Sequence, residues 1–305
     1  MIAITLANTF GALEVGTLVA VFLFGIITLQ AEFYFREFPE DNRWLKGTVL
    51  MVWLLEVGHT IGICVEVYRT TILFAGHPLE YNNFTGLGSA TLLGGVITMV
   101  VQSFFSHRLW RLLPNPFRYL GLLFIIVSVA RCGFSTYLAH QAITATSLPE
   151  YTAKTSWLIR MLLSVGAAFD ILIAVAMLYF FAKKRKGALQ HTTRVVDRLL
   201  GLTIRTGLLT SITAVAVLIC FQIAPHTYIW AGVYCCLAKL YSNSFLSALN
   251  ERQELRKTMG TSGVVADNNS SDLDRLTRRK VGVATELKGP RHLIIFYNSP
   301  RCPSP

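Results

Sequence analysis

Apolar runs of membrane-crossing length recur along this chain, each closed by a short break rich in Pro, Asn or basic residues. About 20 mainly apolar residues are enough to cross a hydrocarbon core as a helix. On that measure the pattern predicts seven helices, near 11–35, 46–72, 88–110, 118–142, 156–182, 199–223 and 227–249. Pro78, Pro114, Pro116, Pro149 and Pro225 fall between them, where a missing N–H does no harm. No proline falls in mid-helix, and no internal repeat of the kind many transporters carry is evident. The expected fold class is an all-α membrane protein, a bundle of seven transmembrane helices over residues 1–250.

Basic residues set the expected direction of threading. Arg36, Arg43 and Lys46 lie at the first connection, and Arg108, Arg111 and Arg118 at the third. The fifth holds a basic run over 183–198, and the tail opens with Arg252, Arg256 and Lys257. The second and sixth connections have no Lys or Arg, and the fourth has only Lys154. Lys and Arg near helix ends stay cytoplasmic. The amino terminus is therefore expected outside and the carboxyl terminus inside. Asn83-Phe84-Thr85 is a glycosylation sequon in the second connection, so Asn83 is a glycosylation candidate on the outer side. Trp44 and Trp110 are expected at the inner interface and Trp157 and Trp230 at the outer one. The first ten residues lack the basic segment of a cleavable signal, so the first run reads as an anchor that stays. A multi-pass location in the plasma membrane is the expectation.

Composition supports a lipid environment. The chain has 305 residues, 53% hydrophobic and only 15% charged, where a soluble domain carries about a quarter. Its net charge of +11 sits in loops and tail. That placement points to the bilayer as partner, with anionic lipids at 183–198, and away from nucleic acid. The six cysteines (Cys64, Cys132, Cys220, Cys235, Cys236 and Cys302) show no metal-ligand spacing, and five lie in apolar runs. They read as small buried hydrophobes. Residues 251–305 form a polar cytoplasmic tail, expected to be mostly disordered.

Ionisable groups at bilayer depth are costly, so each one is a functional candidate. Glu56, His59 and Glu66 fall on one face of the second helix, beside Gly58 and Gly62, which allow a neighbour to approach. Asp170 is central in the fifth helix and Lys239 in the seventh. Glu56, His59, Asp170 and Lys239 form the candidate intramembrane polar cavity, for a ligand or a proton relay. Arg131, Arg205 and Glu66 are candidate charge partners. The competing reading is that these groups only pair across helices and fix register.

Known seven-helix chemistries fit poorly. A retinal protein needs a Schiff-base lysine and a carboxylate counterion. Lys239 meets the first demand, but 88–110 contains no Asp or Glu. A zinc hydrolase needs about three protein ligands, and only His59 of the seven histidines is mid-membrane. The motifs of rhodopsin-type receptors are replaced by His107-Arg108-Leu109 and Lys239-Leu240-Tyr241-Ser242-Asn243. No cofactor or metal is expected, and no enzyme activity.

Four strings do have a family likeness: Trp53 to His59, Gln102 to Trp110, Thr206 to Ser211 and Lys239 to Arg252. Together they resemble a fungal, chiefly basidiomycete, family of seven-helix membrane proteins that carries a domain of unknown function over its last three helices. The likeness runs over about 11–257 and is strongest over 165–257. It implies architecture and a membrane location, not a reaction. Relatives often have Asp where this chain has Glu56, and an acid or amide where it has Arg205. In the last string, Asn243 is a candidate for helix packing or for a polar latch, among small Ser242, Ser244, Ser247 and Ala248. Three functions stay open: a receptor-like sensor of an external small molecule, a proton-linked or small-molecule transporter, and a structural or lipid-organising protein.

Overall fold

The computed structural model describes residues 10–74, 83–113, 115, 117–185, 190–225 and 227–253, without the side chains at 112 and 181–206. The chain divides into two units, Met1–Leu255 and Arg256–Pro305, and the described residues belong to the first. The disordered-tail expectation and most of the basic-run expectation fall outside them.

The described residues of the first unit form seven long helices. They are α1 (Ala12–Glu37), α2 (Arg43–Tyr68), α3 (Thr85–Leu112), α4 (Tyr119–Thr144), α5 (Leu148–Arg185), α6 (Gln190–Ile223) and α7 (229–253). A π-helical turn, Arg69–Leu73, prolongs α2. Among the described residues there is no strand. α1 to α5 contain five spans long and apolar enough to cross a membrane, so the chain is a membrane-embedded helical protein. α6 contributes a shorter apolar stretch, Gly207–Ile223.

Local chemistry explains several helix starts. Asn42 caps α2, its Oδ1 accepting from the Trp44 N–H at 3.2 Å. α5 begins eight residues before the expected 156. Ser147 Oγ accepts from the Glu150 N–H at 3.3 Å, and Glu150 Oε2 accepts from the Thr146 N–H at 3.1 Å. Ser-Leu-Pro-Glu has the sequence of a capping box, with Glu150 reaching the N–H one residue before the cap, and Pro149 is tolerated because the first turn needs no intrahelical N–H bond. Across 38 residues α5 is about 57 Å long, well beyond a hydrocarbon core.

The helices divide by what surrounds them. α1 turns Val15, Leu18, Phe22 and Leu29 outward, with Phe22 69% exposed. α4 does the same with Leu122, Leu123, Ile126 and Val129. Such apolar belts are unfavourable in water and neutral in lipid. α7 has no exposed residue along its whole length. It lies against α1, α2, α3, α5 and α6, as the contacts below specify. Being shielded from lipid, it can carry Lys239, Ser242, Asn243, Ser244 and Asn250 where an outer helix could not.

Small residues bring α7 onto α1. A Cβ on Gly16 would strike the Gly232 backbone, so neither position has room for a side chain. Cys236 Sγ lies 3.6 Å from Gly16 O, and Asn250 Nδ2 donates to Gln30 O at 2.9 Å. At the far end Arg252 pairs with Asp41 at 2.6 Å and lies over the Phe38 ring, 4.6 Å from its centroid. Trp230, expected at a lipid interface, is instead buried against Phe221, with ring centroids 5.3 Å apart and nearly perpendicular. Trp44 and Trp157 remain exposed.

Candidate functional site

The mid-membrane charges do not gather into one cavity. They form two clusters joined through α7.

In the first cluster an acid and a base close on each other. Glu56 on α2 and Lys239 on α7 are both fully buried, with Nζ 2.5 Å from Glu56 Oε2. Lys239 Nζ also donates to Thr60 Oγ1 at 2.6 Å and to Glu56 O at 3.2 Å. An ammonium has three protons, and here three acceptors face it. The other carboxylate oxygen, Oε1, accepts from Ser242 Oγ at 2.6 Å. The Phe24 ring covers the ammonium, its centroid 5.2 Å away. His59 shares the buried face of α2 with Glu56 and Glu66. Its Nδ1 is buried without a partner, and its ring lies beside Gly94 of α3. Glu66 sits about two turns beyond His59 and accepts from the Leu87 N–H at 3.0 Å, near the start of α3.

The second cluster is built around Gln102 of α3. Its Nε2 donates to Asp170 Oδ1 of α5 at 3.0 Å. Its Oε1 accepts from Arg131 Nη1 of α4 at 2.7 Å and from Ser128 Oγ at 3.3 Å. The amide thus lies between a cation and an anion, oxygen toward Arg131 and nitrogen toward Asp170. Tyr241 of α7 donates its hydroxyl to Asp170 Oδ2 at 2.6 Å. Arg131 Nη2 donates to Leu162 O at 3.2 Å, and a Cβ on Gly166 would strike that guanidinium. Gly166 is therefore the space into which Arg131 reaches.

Empty space flanks this layer on both sides. One cavity, of about 70 Å³, lies between α3, α4, α5 and α7 toward the α3 start and the α4 end. Thr91, Thr98, Ser135, Tyr151, Trp230 and Tyr234 contribute to its wall. A smaller one, of about 30 Å³, lies toward Met177 and Gly207. Gln102 and Tyr241 line both. Neither cavity touches Glu56, His59 or Lys239.

The remaining expected residues are placed as follows. Asn243 donates to Lys239 O on its own helix at 2.9 Å and to Leu23 O of α1 at 3.4 Å. Asn83 is exposed, with φ 55°, and its backbone O accepts from Arg69 Nη1. The Arg205 side chain lies outside the described residues, as do those of the 183–198 run. The five described cysteines are free thiols. Gln102 and Tyr241 were not expected as site residues. The available signal was an amide between Val101 and Ser103 in an otherwise apolar run.

A family model described as a family of unknown function, DUF6534, matches residues 166–254. No curated protein and no solved structure matches the chain. The matched segment holds Asp170, Lys239, Tyr241 and Ser242, while Glu56, Gln102 and Arg131 lie before it. Each cluster is thus half inside and half outside the part of the chain that is similar to this family.

Proposed function

We propose that this is a non-enzymatic seven-helix membrane protein of receptor-like build that binds a small external molecule in the larger cavity. The amino terminus lies outside, the carboxyl terminus and the 183–198 basic run meet the cytoplasm and anionic lipid, and the setting is the plasma membrane. The alternation of basic connections supports this threading, which makes the larger cavity the outward one. The likeness over the four strings supports kinship with the fungal seven-helix proteins.

One observation carries the binding reading: the Arg131–Gln102–Asp170–Tyr241 layer ties four helices together, and its members Arg131, Gln102 and Tyr241 line that cavity. A molecule that contacts Arg131 or Gln102 changes the bonds that hold α5 and α7. Binding energy can shift a helix arrangement only through such differential contacts. α5 and α6 lead to the basic run, so a shift there reaches the inner face.

A second reading, a transporter, is favoured by the smaller cavity on the other side of the same layer. The two readings part in one experiment. Purified protein is screened for ligand-dependent gain in thermal stability across a metabolite panel, and hits are then offered to reconstituted vesicles with and without a pH gradient. The receptor reading expects stabilisation and no uptake. Uptake of a hit supports the transporter. Stabilisation by nothing in the panel, with Asp170→Asn indistinguishable from the native chain in cells, would sink both.

A further inference from the structure

We infer that the larger cavity takes a small monocarboxylate, of about the size of formate or acetate. The inference rests on the ligand-binding reading above and names the class of molecule.

The wall of the cavity is asymmetric in charge. Among the described residues that line it, Arg131 alone carries a formal charge. Its guanidinium contacts only neutral acceptors, Gln102 Oε1 and Leu162 O. Asp170 does not line the cavity and is bonded from its wall by the Gln102 amide nitrogen and the Tyr241 hydroxyl. The Arg131 Nε is buried and has no acceptor. Trp230, 4% exposed, lines the same cavity, and its indole Nε1 is likewise buried without an acceptor. A buried donor without a partner is a standing cost to the fold, and a native structure needs a reason for each. Both nitrogens are covered in this arrangement, so a small turn of either side chain would be needed to present them, while Arg131, as the one formal charge on the wall, already favours an occupant with negative charge and more than one acceptor oxygen.

Carboxylate fits this better than the alternatives. A guanidinium edge and a carboxylate match in geometry, and charge-assisted bonds of this kind are about twice as strong as neutral ones. A cation would meet Arg131 with like charge. An apolar molecule would leave both donors unsatisfied. A phosphate dianion would bring two negative charges against the single cation of the wall. One part of the wall, formed by Leu138, Ile159, Leu163 and Val217, is apolar and suits a methyl group. A cavity of about 150 Å³ accommodates benzene, so the space here suits a body of about three or four heavy atoms.

The test uses the full chain, purified in detergent or nanodiscs, at constant ionic strength. Thermal unfolding is followed against formate, acetate, formamide and acetamide. The expected result is saturable stabilisation by the two carboxylates, with the amides at least tenfold weaker. Arg131→Lys keeps the charge but loses the fork and should weaken carboxylate binding about tenfold. Trp230→Phe removes one neutral donor and should weaken it about three- to tenfold. Arg131→Gln should abolish it, and the two conservative variants carry the test if Arg131→Gln does not fold. Carboxylates and amides binding equally would overturn the assignment, and so would carboxylate binding that ignores both conservative variants. If amides bind through Trp230 and carboxylates do not, the ligand site stands and the carboxylate class falls. If neither class binds, the carboxylate assignment falls, and the site reading then rests on the wider panel alone.

Discussion

Glu56 with Lys239, and Asp170 with Arg131, are both acids and bases at mid-helix, yet they are built in opposite ways. In the first, acid and base touch, every ammonium proton has an acceptor, and both carboxylate oxygens have donors. In the second, acid and base are held apart by the Gln102 amide, a guanidinium nitrogen is unpartnered, and space lies on both sides. A closed pair has nothing left to offer a ligand. An open relay has unused bonding capacity and a way to change partners. On the function proposed above, the first cluster holds α7 in register and the second serves recognition.

The largest effect expected from this contrast is at the closed pair. Lys239→Met leaves a buried carboxylate with Ser242 as its remaining side-chain donor. Removing one partner of a buried pair typically destabilises by about 3–5 kcal/mol. Lys239→Met or Glu56→Met alone should therefore lose most of the folded yield, measured by size-exclusion profile and Tm. The double variant, apolar on both sides, should recover most of that loss. It should also keep the ligand response. Single variants that lose under about 1 kcal/mol would show that the pair is not a closed lock. A stable double variant that loses the response would place Glu56 and Lys239 in the site itself.

Gln102→Leu is the middle case. It removes the acceptor of Arg131 and a donor to Asp170 while keeping a side chain of similar size. Hydrogen bonds to charged groups contribute about 1.5–3 kcal/mol each, and relaxation of Arg131 and Asp170 toward each other offsets part of that. A loss of about 1–3 kcal/mol is expected, smaller than at the closed pair. The response to ligand should fall further than stability does, because the wall of the cavity is changed. A variant whose ligand response survives intact would separate the layer from recognition and leave it a second packing device.

Much of this arrangement is visible in the chain before folding, and the rest is hidden for identifiable reasons. Helix existence follows from run length, and the candidate charges follow from their depth. The start of α5 was missed because Pro149 reads as a break, although Ser147-Leu148-Pro149-Glu150 also spells a capping box. Partner choice is beyond local pattern: Lys239 and Glu56 are 183 residues apart, and Gln102 and Asp170 are 68 apart. Helix periodicity tells which face a residue occupies, not which helix packs there. Hence Asp170 and Lys239 look alike as lone mid-helix charges yet belong to different clusters. Trp230 misleads similarly, since its depth suits an interface while the all-round burial of α7 turns it inward.

The smallest expected effect concerns the two asparagines of α7. Asn243 makes a bond of 2.9 Å to a carbonyl of its own helix and one of 3.4 Å to Leu23 O, and its Oδ1 is buried without a partner. Asn243→Ala therefore removes one weak interhelical bond and relieves one unsatisfied acceptor, and the net change should stay within about 0.5 kcal/mol. Asn250 also has an unpartnered Oδ1, but its bond to Gln30 O of α1 is interhelical and 2.9 Å long. Interhelical bonds in membranes average about 0.6 kcal/mol and reach about 1.7 kcal/mol, so Asn250→Ala should be the more destabilising of the two. Comparing their Tm values in one detergent isolates the interhelical bond from the common loss of an amide. A larger loss at Asn243 would mean that Leu23 and α1 are held more firmly there than a 3.4 Å contact allows, and would restore Asn243 as a latch between α1 and α7.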